Sequence, residues 1–330
     1  MSETEAYLFL FPGQGAQYRG MGSDLHAQHA SVQHTYAEAS DILGYDIASL
    51  SFDDSGNDIH HTRYTQPAIL THSVACLRLF NQFLGQPVTP TVTAGHSLGE
   101  YSALVAAGVL DFSSALQLVS TRGELMGAYG SGEMEALPLD QEQAGIIAAK
   151  HYCAVAACNL PDQTVVGGLA EDLDALASDL NEQFPKKHST RLKTEGAFHT
   201  SLMVEAAKRF RPVLEQIDFR ATEVLVLSNY TGDFHETGSA GIRSRLFLQL
   251  FYPVLWHQSL LRALDRGIGH IIEFGGGIGK GETPAEKNPN LAGIVKRTFR
   301  RVPNAPDYHS VINIESLEVS VTAIADHRSA

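Results

Sequence analysis

Cysteine is scarce and unpaired. Cys76, Cys153 and Cys158 are odd in number and form no C-x-x-C pair, which argues against a disulfide framework and against a cysteine zinc site. Reduced, mostly buried thiols are expected. Long apolar runs are also missing: the longest, residues 103–110, is broken by Gly108, and no membrane span fits so short a stretch. Glu3 and Glu5 stand where a secretory signal would carry basic residues, so a cytoplasmic protein is expected. Positive charge is outnumbered. A net charge of −13 offers no general attraction to nucleic acid or to an anionic membrane. With 18% charged and 44% hydrophobic residues, neither a disordered nor a fibrous class is favoured. The 330 residues allow one large domain or two smaller ones.

The most informative feature present is Gly95-His96-Ser97-Leu98-Gly99, set between a β-favouring stretch at 88–94 and an apolar-periodic stretch from Leu98 to Gly108. That is the context of a strand-to-helix nucleophile elbow, with Ser97 as candidate nucleophile. Gly95 and Gly99 leave room where strand and helix nearly touch. The helix that opens there would present N-terminal amides to an oxyanion.

Along the chain, residues 7–11 read as a buried, central strand entering the tight loop Pro12-Gly13-Gln14-Gly15. Helices are predicted around 28–43 and 67–83, then the elbow strand and helix, then a helix with Asp111 as N-cap. This alternation implies an open, mostly parallel sheet. The rhythm then changes. Strand 133–137, helix 141–149, strands 153–158 and 164–168, helix 171–184 and strand 188–193 make a β-α-β-β-α-β order, the ferredoxin-like signature. The expected architecture is α/β: a large domain of residues 1–127 and 200–330 with an inserted small domain of residues 128–199. The chain returns to the large sheet through a helix at 200–217 and strands at 224–229 and 271–274. A short strand and helix are expected within 311–324.

A serine nucleophile needs a base, and 15 histidines rank poorly by count. His199, after Gly196-Ala197-Phe198, lies at the junction of insert and large domain, where a side chain could face an interdomain cleft. Arg122 leaves its helix from an apolar stripe: Ala115, Leu118, Arg122 and Leu125 fall at i, i+3, i+7 and i+10. A guanidinium there needs a partner, either a protein carboxylate, which periodicity favours, or a substrate carboxylate. Two glycine-rich stretches make weak nucleotide sites. Tyr18 replaces the third glycine of a dinucleotide fingerprint after Gly13, and Phe274 and Gly281 break a P-loop around Gly279-Lys280. Two basic clusters, Lys186, Lys187, Arg191 and Lys193, and Lys296, Arg297, Arg300 and Arg301, are either solvated faces or a dock for an acidic partner.

Taken together, Phe11-Pro12-Gly13-Gln14-Gly15-Ala16-Gln17, Thr65-Gln66-Pro67-Ala68, the Ser97 pentapeptide with Glu100, Thr121-Arg122-Gly123, Gly196-Ala197-Phe198-His199 and Gln249-Leu250-Phe251-Tyr252-Pro253-Val254 resemble the malonyl-CoA:acyl carrier protein transacylase family. The resemblance covers about 7–301 and implies an α/β-hydrolase-like large domain carrying a ferredoxin-like insert. It implies that Ser97 takes a malonyl group from malonyl-CoA with His199 as base and passes it to the phosphopantetheine thiol of an acyl carrier protein, with no further cofactor and no metal. Gln14 and Leu98 match the oxyanion-hole positions, Gln249 the residue whose carbonyl orients the histidine, and Arg122 the binder of the malonyl carboxylate. Gln66 and Phe198 match positions beside the acyl group, and the Phe198 ring fits the malonyl-type pattern. Lys186, Lys187, Arg191, Arg297 and Arg300 are the expected carrier contacts. An acyl-carrier-protein hydrolase and a catalytically silent docking module are the competing readings. Tyr252 stands in place of a common asparagine of the family, and the long polar stretch 279–290 suggests a pathway-specific enzyme serving a polyketide or mixed peptide–polyketide assembly line.

Overall fold

The computed structural model describes residues 6–53 and 55–329; Glu3 and Glu5 lie outside them. Ten strands form two sheets. The strands are β1 (Ala6–Phe11), β2 (Val92–Gly95), β3 (Glu133–Leu137), β4 (Ala154–Leu160), β5 (Gln163–Gly168), β6 (Thr190–Leu192), β7 (Leu225–Ser228), β8 (Asp233–Phe234), β9 (Ile268–Phe274) and β10 (Asp307–Val311). The large sheet runs β10-β9-β1-β2-β7-β8. All its pairings are parallel except β7 with β8. β1 is interior and apolar throughout, Leu8 to Phe11 being buried, as expected of a strand covered by helices on both faces.

The second sheet runs β4-β5-β3-β6, entirely antiparallel, the strand order of a ferredoxin-like unit. Alternation along its strands sorts the two faces. Leu137 and Val166 join Ile147, Leu173, Leu176 and Leu180 in a separate core beneath the two helices. Met134, Ala157, Val165 and Leu192 turn the other way and line a cavity. The two sheets are tied where Val254 bridges Ala157, Cys158 N–H donating to the Val254 carbonyl at 2.8 Å. The fold class expected from the sequence, a mostly parallel large sheet with a ferredoxin-like second sheet, is what the structure has.

Several element boundaries differ for physical reasons. The helix expected from Pro67 is Thr62–Leu84: Pro67 is carried inside it, and the Thr62 N–H is accepted by the Glu195 carboxylate, a partner no local window contains. The helix expected at 28–43 is broken at His29, whose extended backbone separates Ser23–Gln28 from Ala30–Leu43. The elbow strand is shorter than expected, starting at Val92 beyond Pro90. The last strand precedes the expected segment, at Asp307–Val311, and its helix runs Ile314–Ser329. Asp111 does cap its helix, accepting from Ser114 N–H at 2.8 Å, an interaction of about 1 kcal/mol. The three cysteines are buried free thiols. Among the described residues no helix is long and apolar enough to cross a membrane.

Candidate active site

β1 and β2 end side by side, Phe11 in register with Gly95, and the chain turns sharply from β2 into the helix Gly99–Ala106. The turn leaves no space. A Cβ on Gly95 would stand 1.9 Å from the Gly99 carbonyl carbon, and one on Gly99 2.2 Å from the Phe11 oxygen. Ser97 therefore sits at φ 53°, in the left-handed region, as does His199 at φ 63°. Non-glycine residues adopt that conformation at a cost, which the surrounding structure must hold in place.

For Ser97 the hold is Asn229, just past the end of β7. Its Oδ1 accepts the Ser97 N–H at 2.5 Å, while its Nδ2 donates to the Gly95 carbonyl at 2.8 Å. For His199 it is the 249–250 turn: His199 N–H donates to the Leu250 carbonyl at 3.1 Å, and Nδ1 lies 2.6 Å from the Gln249 carbonyl. A carbonyl only accepts, so Nδ1 carries the proton and Nε2 is the free base. That Nε2 is 2.7 Å from Ser97 Oγ. Burial, and then the nearby Arg122 charge, pull the His199 pKa down from 6.5 to about 3, so the imidazole is neutral at physiological pH.

Arg122 approaches Ser97 from below. It is 1% exposed and donates to Gln66 Oε1 at 2.8 Å, Gln249 Oε1 at 3.1 Å and Ser97 Oγ at 3.2 Å. Among the described residues no carboxylate, the partner that periodicity favours, bonds to it; these three acceptors are neutral. The nearest acid is one side chain removed, because Gln249 Nε2 donates to Glu100 Oε2 at 2.9 Å. Glu100 is also buried and accepts from Asn229 N–H at 2.9 Å, with His235 Nε2 at 2.7 Å from its other oxygen.

Above these residues lies a cavity of about 970 Å³ between the two sheets, with Gln14, His96, Ser97, Phe198 and His199 in its walls. It opens at the carboxyl ends of β1 and β2, where open α/β sheets characteristically bind ligands. Gln66 is placed against Arg122, not in the wall, and Leu98 is buried at the head of the Gly99–Ala106 helix. Glu100 belongs to the sequence motif, whereas Asn229, His235 and Asn159 (2.8 Å from His96 Nε2) belong to none of the motifs. The only local signal for Asn229 is its place after a strand.

The basic clusters flank the cavity, Lys193 lining it beside β6 and Ile294 lining it from the helix Ala292–Phe299 that carries Lys296 and Arg297. Their members are not equally available. Arg191 is held by Glu133, Glu135 and Asp174, and Arg297 by Asp162 at 2.7 Å. The stretch 279–290 folds on itself: Glu286 accepts from Glu282 and Thr283 N–H at 3.0 Å each, and Ile278 bridges Asn288.

Comparison with known proteins places the chain in a family. The acyl transferase domain family matches residues 8–273. The malonyl CoA-acyl carrier protein transacylase of Bacillus subtilis is 35% identical over 327 residues, covering 96% of this chain and 97% of the relative. That of Escherichia coli K12 is 37% identical over 280 residues, covering 82% and 89%. A malonyl-transacylase solved in complex with its type II polyketide synthase acyl-carrier protein superposes with a TM-score of 0.85 at 31% identity, covering 97% of this chain and 100% of that one. By this family match and these relatives, the chain is an acyltransferase that belongs to the malonyl CoA-acyl carrier protein transacylase family.

Proposed function

We propose that this enzyme transfers a malonyl group from malonyl-CoA to the phosphopantetheine thiol of an acyl carrier protein through an ester on Ser97. Residues 1–127 and 200–330 act as the catalytic domain, and residues 128–199 as the domain that closes the cavity. His199 Nε2 takes the Ser97 hydroxyl proton as Oγ attacks the thioester carbon. The carbon–sulfur bond then breaks, and His199 returns the proton to the departing CoA thiolate. In the second half-reaction the carrier thiol loses its proton to His199, attacks the Ser97 ester and leaves with the malonyl group. The serine regains its proton. Backbone N–H groups of Gln14 and Leu98 stabilise the oxyanion of each tetrahedral intermediate, by about 3 kcal/mol per donor at sites of this kind.

The observation that carries the malonyl assignment is Arg122. It is a fully buried guanidinium, in contact with the nucleophile and with no carboxylate bonded to it among the described residues. A carboxylate two bonds from the acyl carbon can exchange the weak Arg122–Ser97 contact for a charge-assisted, two-pronged pair. Gln66 fixes the guanidinium plane, and the Phe198 ring narrows the pocket beside the α-carbon. Of the expected carrier contacts, Lys186, Lys187 and Arg300 are the ones we assign to docking. Arg191 and Arg297 already hold acidic side chains. The carriers served are those of fatty acid or polyketide synthesis, and the self-folded 279–290 stretch beside the cavity is the feature we connect with a dedicated pathway.

The test is mass spectrometry of the intact enzyme after exposure to malonyl-CoA or acetyl-CoA. A malonyl-sized increment on Ser97, transferable to a holo carrier, is expected. An acetyl adduct without a malonyl one removes the malonyl assignment. Release of free malonate in preference to carrier loading favours the hydrolase reading.

A further inference from the structure

At the opposite end of the large sheet from Ser97, residues near the start of three parallel strands line up in register: Tyr7 of β1 pairs with His270 of β9, and His270 with Asp307 of β10. Partners in register point to the same face. The Tyr7 and His270 rings stack there with centroids 5.3 Å apart. The last turn of the C-terminal helix, Ile314–Ser329, brings His327 onto this row, its ring centroid 4.7 Å from that of His270. One donor atom from each of His270, Asp307 and His327 lies within 4.8 Å of the other two.

We propose that His270, Asp307 and His327 bind one divalent transition-metal ion, which fastens the last turn of the C-terminal helix to the end of the sheet. Two imidazole nitrogens and one carboxylate oxygen are a donor set that suits Zn²⁺ and its first-row neighbours, and not Mg²⁺ or Ca²⁺, which take oxygen ligands. Tetrahedral bonds of ~2.0–2.1 Å place donors ~3.3 Å apart, so the three must draw together slightly. The arrangement permits this: His270 is buried and fixed by its stacking on Tyr7, whereas Asp307 and His327 are exposed and adjustable. Three protein ligands leave a fourth position for water.

The setting supplies a further imidazole. His309, on the same face as Asp307, has its ring 5.8 Å from that of His270 between centroids. Its Nε2 is buried and without a hydrogen-bond partner among the described residues. The three ligands come from elements far apart in sequence, so no spacing motif announces them.

The experiment uses the full chain without a histidine tag, stripped by chelator and dialysed at neutral pH against micromolar ZnCl₂, with zinc per chain read by atomic emission. Close to one tightly held equivalent is expected. His327→Ala should abolish it, and Asp307→Asn should weaken it at least tenfold. Both positions are exposed, and unchanged unfolding temperatures without zinc would show that the variants fold. Zinc should raise the unfolding temperature of the unmodified chain by a few degrees, as for any ligand of the native state, and leave that of His327→Ala in place. Absence of a stoichiometric ion in the unmodified chain, or its retention at unchanged affinity in both variants, overturns the site.

Discussion

Arg122 and Glu100, both buried, are joined through a single side-chain amide: Gln249 accepts from the guanidinium with its oxygen and donates to the carboxylate with its nitrogen. The same nitrogen also donates to the Ser97 carbonyl, and the Gln249 backbone carbonyl receives His199 Nδ1. One residue thus orients the His199 ring, links the Arg122 guanidinium to the Glu100 carboxylate and braces the Ser97 backbone. Part of the cost of burying Arg122 is offset by Glu100 without the acid occupying the guanidinium, which stays free to receive a substrate carboxylate.

That division of roles predicts selective damage. Arg122→Ala should lower kcat/KM for malonyl-CoA by about a hundredfold or more, the equivalent of losing a buried charge-assisted hydrogen bond of about 3 kcal/mol. Acetyl transfer, which makes no such bond, should change far less or improve. Stopped-flow acylation with both donors measures the ratio. Equal losses would mean that Arg122 merely supports the fold of the elbow.

The Arg122 charge also sets the protonation of its neighbour. In the proposed mechanism His199 must be neutral to take the proton, and burial first and Arg122 second pull its pKa down to about 3. The acid limb of the acylation rate in kcat/KM, which reports the free enzyme, should therefore lie well below the ordinary histidine range. In Arg122→Gln the repulsion is gone, the His199 pKa rises, and the acid limb should move to higher pH. A limb that stays in place would show that burial alone depresses the imidazole.

What could be read from the sequence was what local patterns encode. The elbow announces itself because Gly95 and Gly99 are required by contacts inside one turn and one strand register. The second sheet was legible because its elements follow one another in an uninterrupted β-α-β-β-α-β order. Arg122 stood out for breaking such a stripe. The supports were hidden because they are long-range: Asn229 reaches Ser97 across 132 positions, His235 reaches Glu100 across 135, and Glu195 reaches Thr62 across 133. Glu195 also explains the misplaced helix start, since its carboxylate lets the helix begin before a proline that reads as a first residue.

Asn229 offers a test of that hidden layer. Asn229→Ala removes the acceptor of the Ser97 N–H and the donor to the Gly95 carbonyl together, at a junction whose backbone is already in an unfavourable region. Leaving buried backbone groups unsatisfied costs about 1–3 kcal/mol, so the urea midpoint should fall. The acylation rate should fall as well, about tenfold or more if Ser97 Oγ drifts from His199 by even 1 Å. A variant that loses stability but acylates normally would separate fold support from positioning.

Buried titratable groups also fix how stability depends on pH. Burial pulls His72 down from 6.5 to about 4 and His199 to about 3, and lowers His96 as well. As pH falls below about 6.5 the unfolded chain takes up protons at these positions that the native chain refuses, so stability is lost on acidification. Glu273 works the other way. Buried beneath Tyr308 and the Asn290 and Leu291 amides, its carboxyl is pushed up from 4.5 to about 7. It contributes stability that is present below 4.5 and lost as pH rises through 7. The lowered histidines outnumber the one raised glutamate, so the net effect is a loss of stability on acidification between pH 6 and 5, and His96 adds to it. Glu273→Gln removes the opposing contribution, so the pH dependence should steepen even though the variant is less stable overall. Urea midpoints measured across pH 5–7 decide the matter: a flat profile in the unmodified chain, or an unchanged slope in Glu273→Gln, would mean that these groups do not keep their native protonation alone.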